Sequence, residues 1–251
     1  MFASPREITR LEECAFYHTV ELPEFGVIRG HWDLRGRFDD YIGHVDVRGK
    51  RVLDIGTATG FLSFEAERRG ARSVISHDMA DVSEQHFVPF REKRSRHDLA
   101  RWHDDYAAEI DRWKNAYWLC HRAFGSAARV FYGDICDLPE SLGQFDIVIV
   151  GSVLEHLRDP LLALESISPL VGDTLVIVTP LLDSDEPIAR FEARASNREQ
   201  DFTWWTYSRG LYREWLAILG LQIARISSAE YWHEYGQRLE RRWTIVAERA
   251  R

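Results

Sequence analysis

The run Arg51-Val52-Leu53-Asp54-Ile55-Gly56-Thr57-Ala58-Thr59-Gly60-Phe61 constrains this chain more than any other. A short apolar strand carries an acid near its end, turns on Gly56 and Gly60, and opens into a helix over 61–69 that stops at Gly70. Such a turn brings backbone close to a ligand, which glycine permits. An acid at the strand tip sets it apart from a pyrophosphate site, where amide donors meet an anion. It suits a ligand with hydroxyls and a positive charge. A nicotinamide dehydrogenase would want Gly-x-Gly-x-x-Gly here, and Gly56-x-x-x-Gly60 behind Asp54 does not supply it.

From residue 50 onward, strand-like and helix-like segments alternate, the pattern of a parallel sheet with crossover helices. Strands are expected at 51–55, 73–77, 129–132, 145–150, 174–179, 221–226 and 243–248. The first five are short and rich in β-branched residues, as in strands buried on both faces. Asp159-Pro160 reads as N-cap and first turn of a helix ending near Pro169. Thr206 or Ser208 caps another that ends at Gly220. Two regions exceed a minimal α/β fold: residues 1–49, and a helical insertion at 85–125. Leu99, Trp102, Tyr106, Ile110, Trp113, Tyr117 and Cys120 recur there at helical spacing, which reads first as packing against the sheet or a partner.

Composition narrows the class. The chain has 251 residues, enough for one large domain with a cap. Its net charge of −8 weighs against nucleic acid, whose affinity comes from Lys and Arg, although Arg91, Lys93, Arg94 and Arg96 form a local basic patch. No run is long enough for a membrane span. Cys14, Cys120 and Cys136 are too scattered for a disulfide framework or a zinc site, so a cytoplasmic setting and no metal are expected.

The 51–61 run resembles motif I of the class I S-adenosylmethionine (SAM) methyltransferases, Asp/Glu-x-Gly-x-Gly-x-Gly, with Ala58 in place of the middle glycine. A second stretch, Phe145-Asp146-Ile147-Val148-Ile149-Val150-Gly151-Ser152-Val153-Leu154-Glu155-His156-Leu157-Arg158-Asp159-Pro160, is similar to the fourth-strand motif Leu-Glu-His-Leu-x-Asp-Pro of small-molecule members. The resemblance implies an α/β, Rossmann-like fold: a seven-stranded, mostly parallel sheet whose last two strands pair antiparallel, with helices on both faces. It also implies an N-terminal lid (1–49) on a SAM-binding domain (50–251). SAM is then the cofactor, with Asp54, Gly56, Thr57, Gly60, Phe61 and Gly151 around it. Asp78 would accept from the ribose hydroxyls, with Met79 packing on the adenine. Asp134 would accept from the adenine amine, with Ile135 flanking the ring.

Methyl transfer from a sulfonium needs alignment and desolvation, and a base only if the nucleophile must lose a proton. His156 is the first catalytic candidate, with Tyr17 and His18 as rivals because an N-terminal segment commonly closes over this site. Residues 16–35, 114–118 and 203–206 resemble a bacterial branch related to the tRNA wobble-uridine carboxymethyltransferases. Those enzymes read a carboxylated SAM with an aromatic hydroxyl just before the histidine; this chain has Glu155, which would repel that cofactor. The expected activity is therefore SAM-dependent methylation of an N or O atom of a small molecule, an amine or hydroxyl acceptor, in natural product biosynthesis. A tRNA-modifying enzyme and a non-catalytic protein on the same fold are the alternatives, and a homo-oligomer stays open. Trp204, Trp205 and Tyr207, and Tyr231, Trp232, His233 and Tyr235, are expected to supply aromatic caps over the site.

Overall fold

The computed structural model describes residues 2–90, 96–197 and 202–249, with backbone alone for 96–103. The basic residues Arg91, Lys93 and Arg94 lie outside the described residues, as do the side chains of Arg96, Leu99 and Trp102.

Along the chain come β1 (Val20–Leu22), β2 (Gly26–Ile28), β3 (Trp32–Asp33) and α1 (Phe38–Tyr41). Then follow β4 (Arg51–Ile55), α2 (Phe61–Arg68), β5 (Ser73–Asp78), α3 (Arg96–Ala123) and β6 (Arg129–Tyr132). The second half holds β7 (Phe145–Gly151), α4 (Pro160–Ile167), β8 (Val171–Thr179), β9 (Leu181–Leu182), β10 (Ala189–Phe191) and β11 (Trp205–Ser208). The last elements are α5 (Arg209–Ile218), β12 (Leu221–His233) and β13 (Arg238–Arg249).

The main sheet has the order β3-β12-β13-β8-β7-β4-β5-β6. β8, β7, β4, β5 and β6 pair in parallel, and β13 runs against β8 on one side and β12 on the other. These are the seven strands expected from the sequence, joined at one edge by the two-residue β3. Val52, Leu53, Ile55, Val148, Ile149 and Val150 are all fully buried, because helices cover both faces. One face packs against α1, α2 and α3 through Phe38, Phe61, Phe64 and Tyr117. The other packs against α4 and α5 through Ala163, Leu164, Tyr212 and Leu216. Each such large apolar side chain contributes about 1.5–3 kcal/mol on burial.

The helix signals resolve cleanly. Asp159 accepts from Leu162 N–H at 3.1 Å and caps α4. Ser208 accepts from Leu211 N–H at 3.0 Å and caps α5, while Thr206 belongs to β11. The insertion carries one long helix, α3, and of the described side chains in its stripe Ile110, Tyr117 and Cys120 are buried packing residues while Tyr106 and Trp113 are half-buried.

Candidate functional site

The strand order places the carboxyl ends of β4, β5, β6 and β7 side by side, with the switch of winding direction between β4 and β7. Ligands bind at such an edge in open α/β sheets.

Asp54, 0% exposed, lies at the end of β4. Its Oδ2 accepts from the hydroxyls of Thr57 and Ser63, each at 2.7 Å. Its Oδ1 is buried and has no hydrogen-bond partner. Burial pushes the carboxyl up to about 6, against the opposing pull of Ser63 and Thr57. A buried carboxylate oxygen left unpaired is costly, and a ligand donor would relieve it.

The turn after β4 folds back on β5. The N–H groups of Gly56 and Thr57 both donate to His77 O at 2.9 Å. Gly56 has φ +74°, and a side chain there would collide with Val153. Gly60, at φ +87°, caps α2 against the ring of Phe64. Ala58 takes the left-handed region too, at φ 48°, and its N–H donates to Asp78 Oδ2 at 2.6 Å. Asp78 Oδ1 accepts from Met79 N–H at 2.8 Å. Burial raises the Asp78 pKa while these two N–H groups and the Lys114 charge oppose the rise. Asp78 thus shapes the turn, and each of its oxygens keeps a further lone pair for a hydroxyl donor.

β6 ends at Gly133, whose N–H donates to Asp78 O at 3.0 Å. Asp134 Oδ1 accepts from Cys136 N–H at 2.8 Å, and Ile135 is half-buried against the α4–α5 side of the core. Gly151, at the end of β7, lies under Tyr41: a side chain added there would meet the Tyr41 ring and hydroxyl at 3.2 Å.

The N-terminal segment lies on the glycine turn. His18 N–H donates to Thr59 Oγ1 at 3.2 Å, and the His18 ring is 5.7 Å from Phe61. Burial, helped by His31, pushes His18 down to about 3, so its ring stays neutral near pH 7. Tyr17 stands edge-on to His18 at 5.0 Å and contacts His31 at 5.1 Å and Trp113 at 5.8 Å. Its hydroxyl is pushed up first by burial and then by Glu155, which keeps it protonated. His156 lies in the short turn Leu154–His156, where its Nδ1–H donates to Phe202 O at 2.7 Å. That bond leaves Nε2 as the free ring nitrogen.

Sequence reasoning singled out neither Ser152 nor Tyr41; it took Glu155 as a departure from an aromatic hydroxyl and, with Glu234, as a carboxylate able to hold the ammonium form of an amine substrate. Glu155 is 3% exposed; its Oε1 accepts from Ser152 Oγ at 2.6 Å and its Oε2 is buried without a partner. Ser152 holds φ 57°, a strained value for a residue with a side chain. No residue-type pattern announces a left-handed serine, so this feature needed coordinates.

The expected aromatic caps divide. Tyr207 is core, packed on Tyr212 and Trp215 at 5.8 and 4.8 Å. Trp204 is buried, with Nε1–H donating to His86 O at 2.6 Å. Tyr231 packs on Tyr41 at 5.2 Å, and its extension of β12 carries His233 onto Trp32 at 4.5 Å and Tyr235 onto His31 at 4.4 Å. A second aromatic row runs through Tyr17, Trp113, Tyr106 and Phe202, with Tyr106 6.1 Å from Trp113 and 5.5 Å from Phe202, and it joins the Leu154–His156 turn through the His156 bond to Phe202 O. Two surface hollows of about 310 Å³ lie away from the strand ends, one beside Arg29, Asp33 and Trp232, the other beside Asp39, His44 and Arg48. Neither offers the buried acids that a cationic, hydroxylated ligand needs, so the strand-end edge is the candidate site. Among the described residues no group of His, Cys, Asp and Glu could hold a metal ion, and no helix is long and apolar enough to cross a membrane.

The chain is similar to several known proteins. The tRNA U34 carboxymethyltransferase of Pseudomonas paraeruginosa is 31% identical over 165 residues, covering 64% of this chain and 42% of its own length. The ubiquinone biosynthesis O-methyltransferase of Neisseria meningitidis is 31% identical over 152 residues, covering 56% of this chain and 52% of its own length. This chain therefore spans about half or less of each of these relatives. Among solved structures, the 1,6-didemethyltoxoflavin-N1-methyltransferase of Burkholderia thailandensis, with S-adenosylhomocysteine (SAH) bound, superposes with a TM-score of 0.54. It is 16% identical, and the match covers 87% of this chain and 78% of that one. The magnesium protoporphyrin IX methyltransferase of Synechocystis PCC 6803, with bound SAM, gives a TM-score of 0.53 at 16% identity, over 85% of this chain and 76% of that one. These structures speak to the fold. The methyltransferase domain family matches residues 34–224, from the edge of the N-terminal segment into β12. The chain belongs to that methyltransferase domain family and carries its class I, Rossmann-like fold.

Proposed function

We propose that this chain binds SAM across the carboxyl ends of β4, β5, β6 and β7 and directs its methyl group to an N or O atom of a small molecule. The observation that carries the reading is Asp54, a fully buried strand-end acid with Oδ1 unpartnered, beside a left-handed glycine turn. That oxygen suits the amino group of the cofactor's amino-acid end. Asp78 has lone pairs for ribose hydroxyls, and Asp134, with Met79 and Ile135 around it, suits the adenine. SAM brings an activated methyl sulfonium, so the protein's task is alignment and exclusion of water. Tyr17 and His18 serve the second task by covering the Thr59 turn. Neither is suited as a base near neutrality: one hydroxyl is held protonated and one ring is a very weak base.

The first test is a calorimetric titration with SAM, with NAD as control. Binding of SAM alone near micromolar, about −8 kcal/mol, is expected. Asp78→Ala should weaken it by about 1.5–3 kcal/mol through loss of charge-assisted hydrogen bonds. Absence of SAM binding by the wild type would overturn the reading. A second reading, tRNA modification, draws on the Pseudomonas relative. It requires salt-dependent RNA binding, which the net charge of −8 argues against, and a carboxylated cofactor, which Glu155 would repel.

A further inference from the structure

Glu155 is a half-completed pair. One oxygen is held by Ser152, the other is buried without a partner, and among the described residues no ion pair includes it. Its backbone is pinned as well: Trp204 N–H donates to Glu155 O at 2.9 Å, and the neighbouring His156 ring holds Phe202 O. A carboxylate buried this way is unfavourable unless a ligand cation or donor completes it. The strained Ser152 that aims it is the kind of local cost that a binding site retains.

The surroundings say what completes it. From the Glu155–His156 turn the contacts run to Phe202, then to Tyr106, Trp113 and Tyr17. The His156 bond to Phe202 O and the Trp204 N–H bond to Glu155 O tie the Phe202 end of this row to the turn that carries the carboxylate. Trp113 adds a buried Nε1–H with no acceptor. Aromatic faces beside a carboxylate favour a cation on an aromatic body.

Resting on the methyltransferase reading, we propose that Glu155 is the acceptor-binding carboxylate and that the acceptor is a small aromatic amine arriving as its ammonium ion. Its ring lies against the aromatic row that starts at Phe202, and its nitrogen meets Glu155 Oε2. One ammonium proton passes to Oε2, which frees the nitrogen lone pair. That pair forms the new N–C bond as the methyl–sulfur bond breaks, its electrons remaining on sulfur in the thioether product. The proton on Glu155 then leaves to water.

The experiment saturates the protein with SAH, which cannot react, and titrates tyramine, tryptamine and benzylamine against tyrosol, tryptophol and benzyl alcohol. At least one amine should bind about tenfold or more tighter than its matched alcohol, since the ammonium completes the buried carboxylate. Glu155→Gln should bring that ratio near one and leave SAH affinity unchanged. Equal binding of amine and alcohol by the wild type, binding of none of the amines, or a ratio that survives Glu155→Gln would each overturn the proposal. The wild-type ratio decides even if the variant fails to fold. Failure of SAH itself to bind would overturn the methyltransferase reading instead, which separates the two conclusions.

Discussion

Asp54 and Glu155 stand at the ends of adjacent strands and are built alike. Each is buried, each has one carboxylate oxygen held by a nearby hydroxyl, and each has the other oxygen without a partner. They differ in how the backbone beside them turns. Next to Asp54 the left-handed residue is Gly56, at φ +74°; next to Glu155 it is Ser152, at φ 57°. A glycine takes that shape without steric cost, whereas a serine costs about 1 kcal/mol or more. The Asp54 turn is mostly glycine in this region, with Gly56 and Gly60 on either side of Ala58 at φ 48°. The Glu155 turn places the strain at a serine, whose side chain holds one carboxylate oxygen.

The comparison can be broken at the relaxed turn first. Gly56→Ala places a methyl group against Val153 in a left-handed backbone. It should lower stability by about 2–4 kcal/mol, overpacking added to backbone strain, read by denaturant unfolding. A loss below about 1 kcal/mol would mean that the turn tolerates a side chain as Ser152 does.

The Asp54 carboxyl offers a second break. Its folded pKa of about 6 lies above the unfolded value near 3.8. Between those values the folded chain holds a proton that the unfolded chain has lost. Stability is therefore full below about pH 4 and falls as pH rises through about 6, by up to about 3 kcal/mol. Asp54→Asn should flatten that part of the pH profile, while Asp78, shifted in the same direction, keeps a slope of the same sign. A variant that keeps the whole slope would remove Asp54 as its source.

The smallest effect sharpens the acceptor side. His156→Ala removes the bond to Phe202 O and should cost about 1 kcal/mol of stability. SAM affinity should hold and turnover of an accepted amine should fall, because the Phe202 segment loses its anchor. Full turnover would leave His156 a purely structural role.

Much of the strand-end turn around Asp54 was legible in the sequence because it is local. Runs such as 51–55 and 145–150 are continuous apolar stretches, and the glycines and Asp54 sit within a few positions of one another. β12 ran on to His233, beyond the expected 226, because Ser227–Trp232 alternate between partial exposure and burial and lack an apolar run. The acceptor side was hard to read for a different reason. Tyr17, Trp113 and Phe202 come from distant parts of the chain and meet only in three dimensions. Tyr41 sits on a helix of four residues, too short to show a period. Tyr207 looked like a capping aromatic, yet it is core, since composition cannot tell a wall from a filling.

The long helix α3 is tied to the glycine turn by a row of hydroxyls. Tyr117 OH lies 2.9 Å from Ser76 Oγ, Ser76 Oγ lies 2.6 Å from Ser63 Oγ, and Ser63 Oγ lies 2.7 Å from Asp54 Oδ2. An ionised Asp54 can only accept, so every hydrogen in the row points toward it. The row has a polarity that the aspartate dictates. Protonating Asp54 permits every O–H in that row to turn about, and the phenol on the inserted helix would register the change. An addition to the fold thus reports, at its far end, on the charge state of the buried acid at the end of β4.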